Sequence, residues 1–148
     1  MSQSDTVRGF FEHDHDRLDG LFASFRSQYT ADRAAAQSAF AAFRAGLAQH
    51  IVWEEELLFP LWEAKTGMTQ AGPTVVMRHE HRQIHPLLEQ LQRESDKGEN
   101  IEATAQLLSD ILAAHNMKEE RVLYPAIDQA LTDEQRVTVF DKIEHSRA

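Results

Sequence analysis

The sequence predicts an all-α protein, an antiparallel up-down-up-down four-helix bundle with a short fifth helix at its C-terminal end. Three observations support this. Apolar residues recur at three- and four-residue steps through four long segments. Short breaks rich in Gly, Pro, Asp and Asn separate those segments, and short connections favour antiparallel neighbours. The chain also repeats itself: His50 to Pro60 reads HIVWEEELLFP, and His115 to Pro125, 65 residues later, reads HNMKEERVLYP. No stretch carries a strand pattern.

The first helix is predicted over about 5–28, where Phe11, His15, Leu18, Phe22 and Phe25 share one face. The oxygens of Ser4, Asp5 and Thr6 are available to cap its start. Thr30 or Asp32 caps a second helix reaching about Lys65; its alanine-rich first half favours helix and allows close packing. Pro60 lies inside that helix and should kink it. Gly67, Gly72 and Pro73 mark the next break, and a third helix follows over about 73–95. Gly98 suits a left-handed helix end, and Asn100 can cap a fourth helix over about 101–130, which contains Pro125. Thr132 to Gln135 forms a capping box for the fifth, over 133–145. The expected organisation is one domain over 1–148, built of repeat halves at about 5–66 and 73–130.

Composition narrows the function. A formal charge of −9 argues against sequence-independent nucleic-acid binding, which needs a basic footprint. No apolar run is long enough to span a bilayer and the N-terminus lacks the pattern of a secretory signal, so a cytoplasmic location is expected. With no cysteine, disulfides, thiolate metal sites and cysteine nucleophiles are excluded. A bound group must be held by nitrogen and oxygen.

The eight histidines are placed to do that. His13-Asp14-His15 in the first helix matches His79-Glu80-His81 in the third, an offset of 66 residues. His15 shares its face with Phe11, Leu18 and Phe22, and His81 shares its face with Met77, Ile84 and Leu88, so both point inward; His13, His79 and His145 fall outside. His50 with Glu54, and His115 with Glu119, are i,i+4 pairs on one helix face. Four imidazoles and two carboxylates therefore converge from four helices. Such a set suits two metal ions, with the carboxylates able to bridge them and open positions left for a small molecule. A metal-free bundle would bury all six polar groups at a large desolvation cost. Glu55, Glu56 and Glu120 read as solvated or histidine-orienting groups, and Trp53, Phe59, Trp62 and Tyr124 read as packing. No residue outside the metal set reads as a general base or nucleophile.

These two stretches, with an inward histidine on each alternate helix, resemble the hemerythrin-like family with its HHE cation-binding signature, and the resemblance covers essentially the whole chain. It implies an antiparallel four-helix bundle holding two iron ions (Fe2+/Fe3+) with an oxo or hydroxo bridge; manganese or zinc is the lesser alternative. It also implies His85 as a further ligand, four residues after His81, and it leaves Glu120 as a rival to Glu119. Glu119 is preferred for its match to Glu54. Pro86 disfavours ordinary helix geometry at His85. The ligand set expected is thus His15, His50, Glu54, His81, His85, His115 and Glu119. The function expected is binding or sensing of O2 or a related small ligand such as NO or peroxide. The alternatives are a di-iron peroxidase or catalase-like enzyme, and an iron store or sensor working through a protein partner. The absence of a Cys-containing N-terminal segment weighs against an iron-sulfur repair variant. No nucleic acid or membrane partner is expected, and the chain would act as a monomer or homodimer.

Overall fold

A computed structural model describes residues 6–147. Among them the regular structure is helical: α1 (Val7–Gln28), α2 (Arg33–Val52), a π-helical segment π1 (Trp53–Leu58), α3 (Phe59–Thr66), α4 (Pro73–Asp96), α5 (Glu102–Lys118), a second π segment π2 (Glu119–Leu123), α6 (Tyr124–Ala130) and α7 (Asp133–Ser146). The path α2–π1–α3 is continuous, as is α5–π2–α6, so four long rods and one short helix are present. No helix among the described residues is long and apolar enough to cross a membrane.

The caps explain most boundaries. Thr6 Oγ1 accepts from the Gly9 N–H and Asp32 Oδ1 from the Ala35 N–H, each satisfying one otherwise free donor of a first turn. Ser4 and Asp5 lie outside the described residues. Asn100 Oδ1 accepts from Glu102 N–H, and Thr132 and Gln135 complete a reciprocal capping box. Gly67 ends α3 with φ 74°, a left-handed conformation that a side chain would strain.

Pro60 and Pro125 are each preceded by a local widening of the helix. The second and fourth rods each widen into a π turn that stops two residues short of a proline: the Phe59 N–H reaches back five residues to the Glu54 carbonyl, and the Tyr124 N–H to the Glu119 carbonyl. Pro60 and Pro125 then sit in the first turn of the resumed α-helix, where a missing N–H is tolerated. Pro86 leaves α4 unbroken.

Hydrogen bonds between rods descend in register. Along α1, Val7 meets Asp128, His15 meets Glu120 and Arg26 meets Glu102. Between α4 and α5, Glu80 meets His115 and Glu94 meets Thr104. Gly46 lets α1 and α2 approach closely: a Cβ there would lie 2.8 Å from Leu18 Cδ2.

The core divides in two. One cluster holds Leu18, Phe22, Phe25, Phe40, Phe43, Ile84, Leu88 and Leu108. Its rings pack closely, with the Phe25 and Phe40 centroids 4.5 Å apart, and aromatic pairs of this kind add about 0.5–1.5 kcal/mol beyond the area they bury. The other holds Phe11, Trp53, Phe59, Trp62, Met77, Ile127, Val139 and Ile143, and α7 contributes the last two. A buried polar layer of Asp14, His15, His50, Glu54, His81, His115 and Glu119 lies among these apolar residues.

Candidate metal centre

Each inward histidine comes from the middle of a rod, one helical turn from the apolar residues that carry it into the core. The rings form two pairs: His15 with His50, centroids 4.8 Å apart, and His81 with His115, 4.9 Å apart. The two glutamates, both fully buried, span the pairs. Glu54 Oε1 lies 3.5 Å from His50 Nε2 and 3.3 Å from His81 Nε2. Glu119 Oε1 lies 3.2 Å from His15 Nε2 and 3.3 Å from His115 Nε2. Among the described residues two groupings bring ligand atoms within 4.8 Å of one another: Glu54, His81, His115 and Glu119, and His15, His50 and Glu119.

The outer nitrogens follow one rule. Every Nδ1 donates to a carboxylate from another rod: His15 to Glu120 at 2.7 Å, His50 to Asp14 at 2.8 Å, His81 to Glu55 at 2.6 Å and His115 to Glu80 at 2.8 Å. A carboxylate on Nδ1–H turns the Nε2 lone pair inward and makes it more basic, as metal-binding imidazoles require. The pattern repeats across the halves, since Asp14 and Glu80 are the middle letters of the His-acid-His motifs and Glu55 and Glu120 are the second glutamates of the other motif. Arg17, Arg78 and Lys118 contact three of these orienting carboxylates.

The inner atoms lack partners. His50 Nε2, His81 Nε2, Glu54 Oε1 and Glu119 Oε2 are buried without a hydrogen bond, which is costly unless another group takes them up. In the metal-free protein protons partly fill that role. Burial opposes charge on His15 and His115, but Glu119, with Glu54 and the orienting carboxylates, outweighs it and raises both to about 9. Burial and the neighbouring Glu119 push Glu54 up, whereas hydrogen bonds from Glu54, His115 and His15 overcome burial and hold Glu119 well below its usual value. Four imidazoles and two carboxylates with protons between them fit divalent or trivalent cations in their place.

Six of the seven ligands expected from the sequence are brought together. His85 is not: its side chain is 69% exposed and its Nε2 lies 3.8 Å from Glu89 on the same helix. The α4 stripe runs through Met77, His81, Ile84 and Leu88, and His85 is turned about 100° from Ile84, away from the core. Glu120 orients His15 from outside, while Glu119 occupies the interior. Glu56 is exposed.

Tyr124, expected only to pack, belongs to the site. Its buried hydroxyl lies 2.7 Å from Glu54 Oε2, 3.0 Å from Glu119 Oε1 and 3.4 Å from His15 Nε2. Burial and the two carboxylates push the phenol well above its ordinary value, so it acts as a donor. The sequence signal was the Phe59/Tyr124 difference between otherwise matching stretches. The roles of Asp14 and Glu80 were also legible, as acids at the same place in both motifs.

Beside the cage, toward the Phe and Leu cluster, lies a cavity of about 10 Å³, room for about one water-sized molecule. The cage atoms form one wall, and Leu18, Phe43, Leu47, Ile84 and Leu112 form much of the rest.

Helical rods that converge imidazoles and carboxylates on a buried centre define a metal-binding helical protein. The chain matches the hemerythrin HHE cation-binding domain over residues 6–127 and belongs to that family. It is 33% identical over 88 residues to the iron-sulfur cluster repair protein YtfE of Musicola paradisiaca, covering 59% of this chain and 34% of that one. It is 28% identical over 133 residues to a DNA nickase of Nostoc sp., covering 90% of this chain and 36% of that one. The chain thus spans about a third of the length of these relatives. No solved structure matches.

Proposed function

We propose that the chain is a single hemerythrin-like domain, an antiparallel up-down-up-down bundle with pseudo-twofold halves, that holds two iron ions and binds a small ligand such as O2, NO or peroxide. One observation carries the reading: one oxygen of each glutamate, Oε1, reaches an imidazole of both pairs, so that Glu54 and Glu119 would be shared between ions held by the two pairs. His15, His50, His81, His115, Glu54 and Glu119 would hold the metals. When bound, the ions supply redox steps and open coordination positions for the small ligand. The descending register of the hydrogen bonds supports the topology, and the iron-sulfur repair relatives favour iron.

The chain's own residues do the rest. Asp14, Glu55, Glu80 and Glu120 fix the rings so that each Nε2 faces inward. The adjoining cavity has room for about one water-sized molecule and so would exclude bulky substrates. Tyr124 holds a proton against the carboxylate pair.

The outward position of His85 favours a second reading, turnover of peroxide, because four imidazoles for two ions leave more exchangeable positions than five. Iron loading under exclusion of oxygen, followed by metal analysis, tests the first reading: two iron per chain are expected, and no more iron than a His50→Ala, His115→Ala double variant retains would refute it. Admitting air or peroxide then separates the two. A reversible visible band marks a carrier or sensor, and rapid peroxide loss marks an enzyme.

A further inference from the structure

The cavity beside the cage meets the outside on two faces built by matching positions of the two repeats, and these faces differ in chemistry. On the α2–α4 face the cavity wall includes Leu47, Ile51, His81 and Ile84, and the same four residues line an outer groove of about 660 Å³ that also carries Glu55 and two arginines, Arg44 and Arg82. At the positions of the α1–α5 face that match Leu47, Ile51 and Ile84 stand Leu112, Asn116 and Leu18. There Asp19 and Leu112 line both the cavity and an outer groove of about 540 Å³. The residue that matches Asp19 in the repeat is His85, which lines only the outer groove and turns to Glu89. The cavity wall thus carries Asp19 and Asn116 on the α1–α5 face and Ile51 on the α2–α4 face. In the α2–α4 groove the Glu55 carboxylate is engaged by His81 and Arg78, and Arg44 and Arg82 add positive charge.

A hydrated cation crossing a helical wall must exchange water for other oxygen ligands; an apolar passage supplies none, and the desolvation cost is large. Asp19 is one turn beyond His15 on the same helix face, and Asn116 follows His115 directly. Facing the same cavity are His50 Nε2, Glu54 Oε1 and Glu119 Oε2, all buried and without hydrogen-bond partners. The Arg26 guanidinium, which lines the outer groove and would repel a cation, is engaged by Glu102 at 2.9 Å and Gln106 at 3.3 Å.

We propose that divalent cations reach the cage through the α1–α5 face, with the Asp19 carboxylate and the Asn116 side-chain carbonyl as transient ligands between the groove and Glu119. The proposal rests on the metal-binding reading of the cage. It assigns the two residues to the rate of loading and not to the final site.

The test is uptake of Co2+ by the metal-free full chain, followed by stopped-flow absorbance near neutral pH, with the final stoichiometry measured separately. Asp19→Leu and Asn116→Leu should slow uptake by about tenfold or more and leave the final stoichiometry unchanged. Asp19→Asn, closest in shape, should slow it less. His85→Ala, on the opposite face, should load at the wild-type rate. Circular dichroism checks that each variant keeps its helix content. Wild-type loading rates in all three α1–α5 variants overturn the proposal, as does slowing confined to His85→Ala. A wild-type chain that binds no Co2+ at equilibrium overturns the metal-binding reading itself.

Discussion

The two sequence repeats of this chain contribute the same buried imidazoles and carboxylates in the same order and surround them differently. His15, His50 and Glu54 in the first match His81, His115 and Glu119 in the second, and the orienting acids match as well. The differences begin one step further out. Phe59 in the first repeat is Tyr124 in the second, so a single buried hydroxyl serves both carboxylates. Trp53 is buried and donates to Ser146 beyond the end of its rod, whereas the matching Lys118 is exposed and pairs with Glu80. Ile51 becomes Asn116. Repetition thus preserves the buried imidazoles and carboxylates, while divergence around them distributes proton donors and charge unequally.

The largest test removes a group that both imidazole pairs share. Glu119→Ala should abolish metal retention in purified protein, read by elemental analysis. It should also erase the stabilisation that bound metal confers, about 2.7 kcal/mol at a free concentration a hundredfold above Kd, seen as a thermal midpoint that no longer rises on metal addition. Next come the matched orienting acids. Asp14→Ala and Glu80→Ala should each weaken metal binding about 10- to 100-fold, measured by competition with a chromophoric chelator. Equal losses would show the halves to be energetically equivalent; unequal losses would rank them.

Tyr124→Phe makes the halves alike at this position. It strips a hydrogen bond from a buried carboxylate and should destabilise the metal-free protein by about 1–3 kcal/mol in urea unfolding. No change there would mean that the hydroxyl does not support the cage. A pH-dependent effect follows from His15 and His115, one from each repeat. Both are raised from 6.5 to about 9. Their contribution to metal-free stability is complete below about pH 6.5 and disappears as pH rises through about 9. The thermal midpoint of the metal-free protein should therefore fall across that window, while apparent metal affinity rises as protons stop competing. His85→Ala should change stability by no more than about 0.5 kcal/mol and leave the metal count as it was.

Much of the helical organisation could be read from residues. Phe11, Leu18 and Phe22 around His15, and Met77, Ile84 and Leu88 around His81, carried the information that these two histidines face the core, because a helix of known period has only one buried stripe. Thr6, Asp32 and Thr132 marked starts because their side chains satisfy free N–H groups. The π turns before Pro60 and Pro125 were not legible: a missing donor and a ring clash do not specify how the preceding turn adjusts. His85 misled because the four-residue spacing places it near His81, whereas the buried α4 stripe through Met77, Ile84 and Leu88 leaves it on the exposed side.

By itself the sequence determined the helical periods, the caps, the repeat and the six polar groups that the repeat places inward, since each follows from backbone geometry within one element. Only the tertiary structure decided which acid orients which imidazole, that the Tyr124 hydroxyl reaches both buried carboxylates, and which side chains line the cavity beside the cage. Those are relations between rods, set by their rotation and separation, and no local periodicity encodes them.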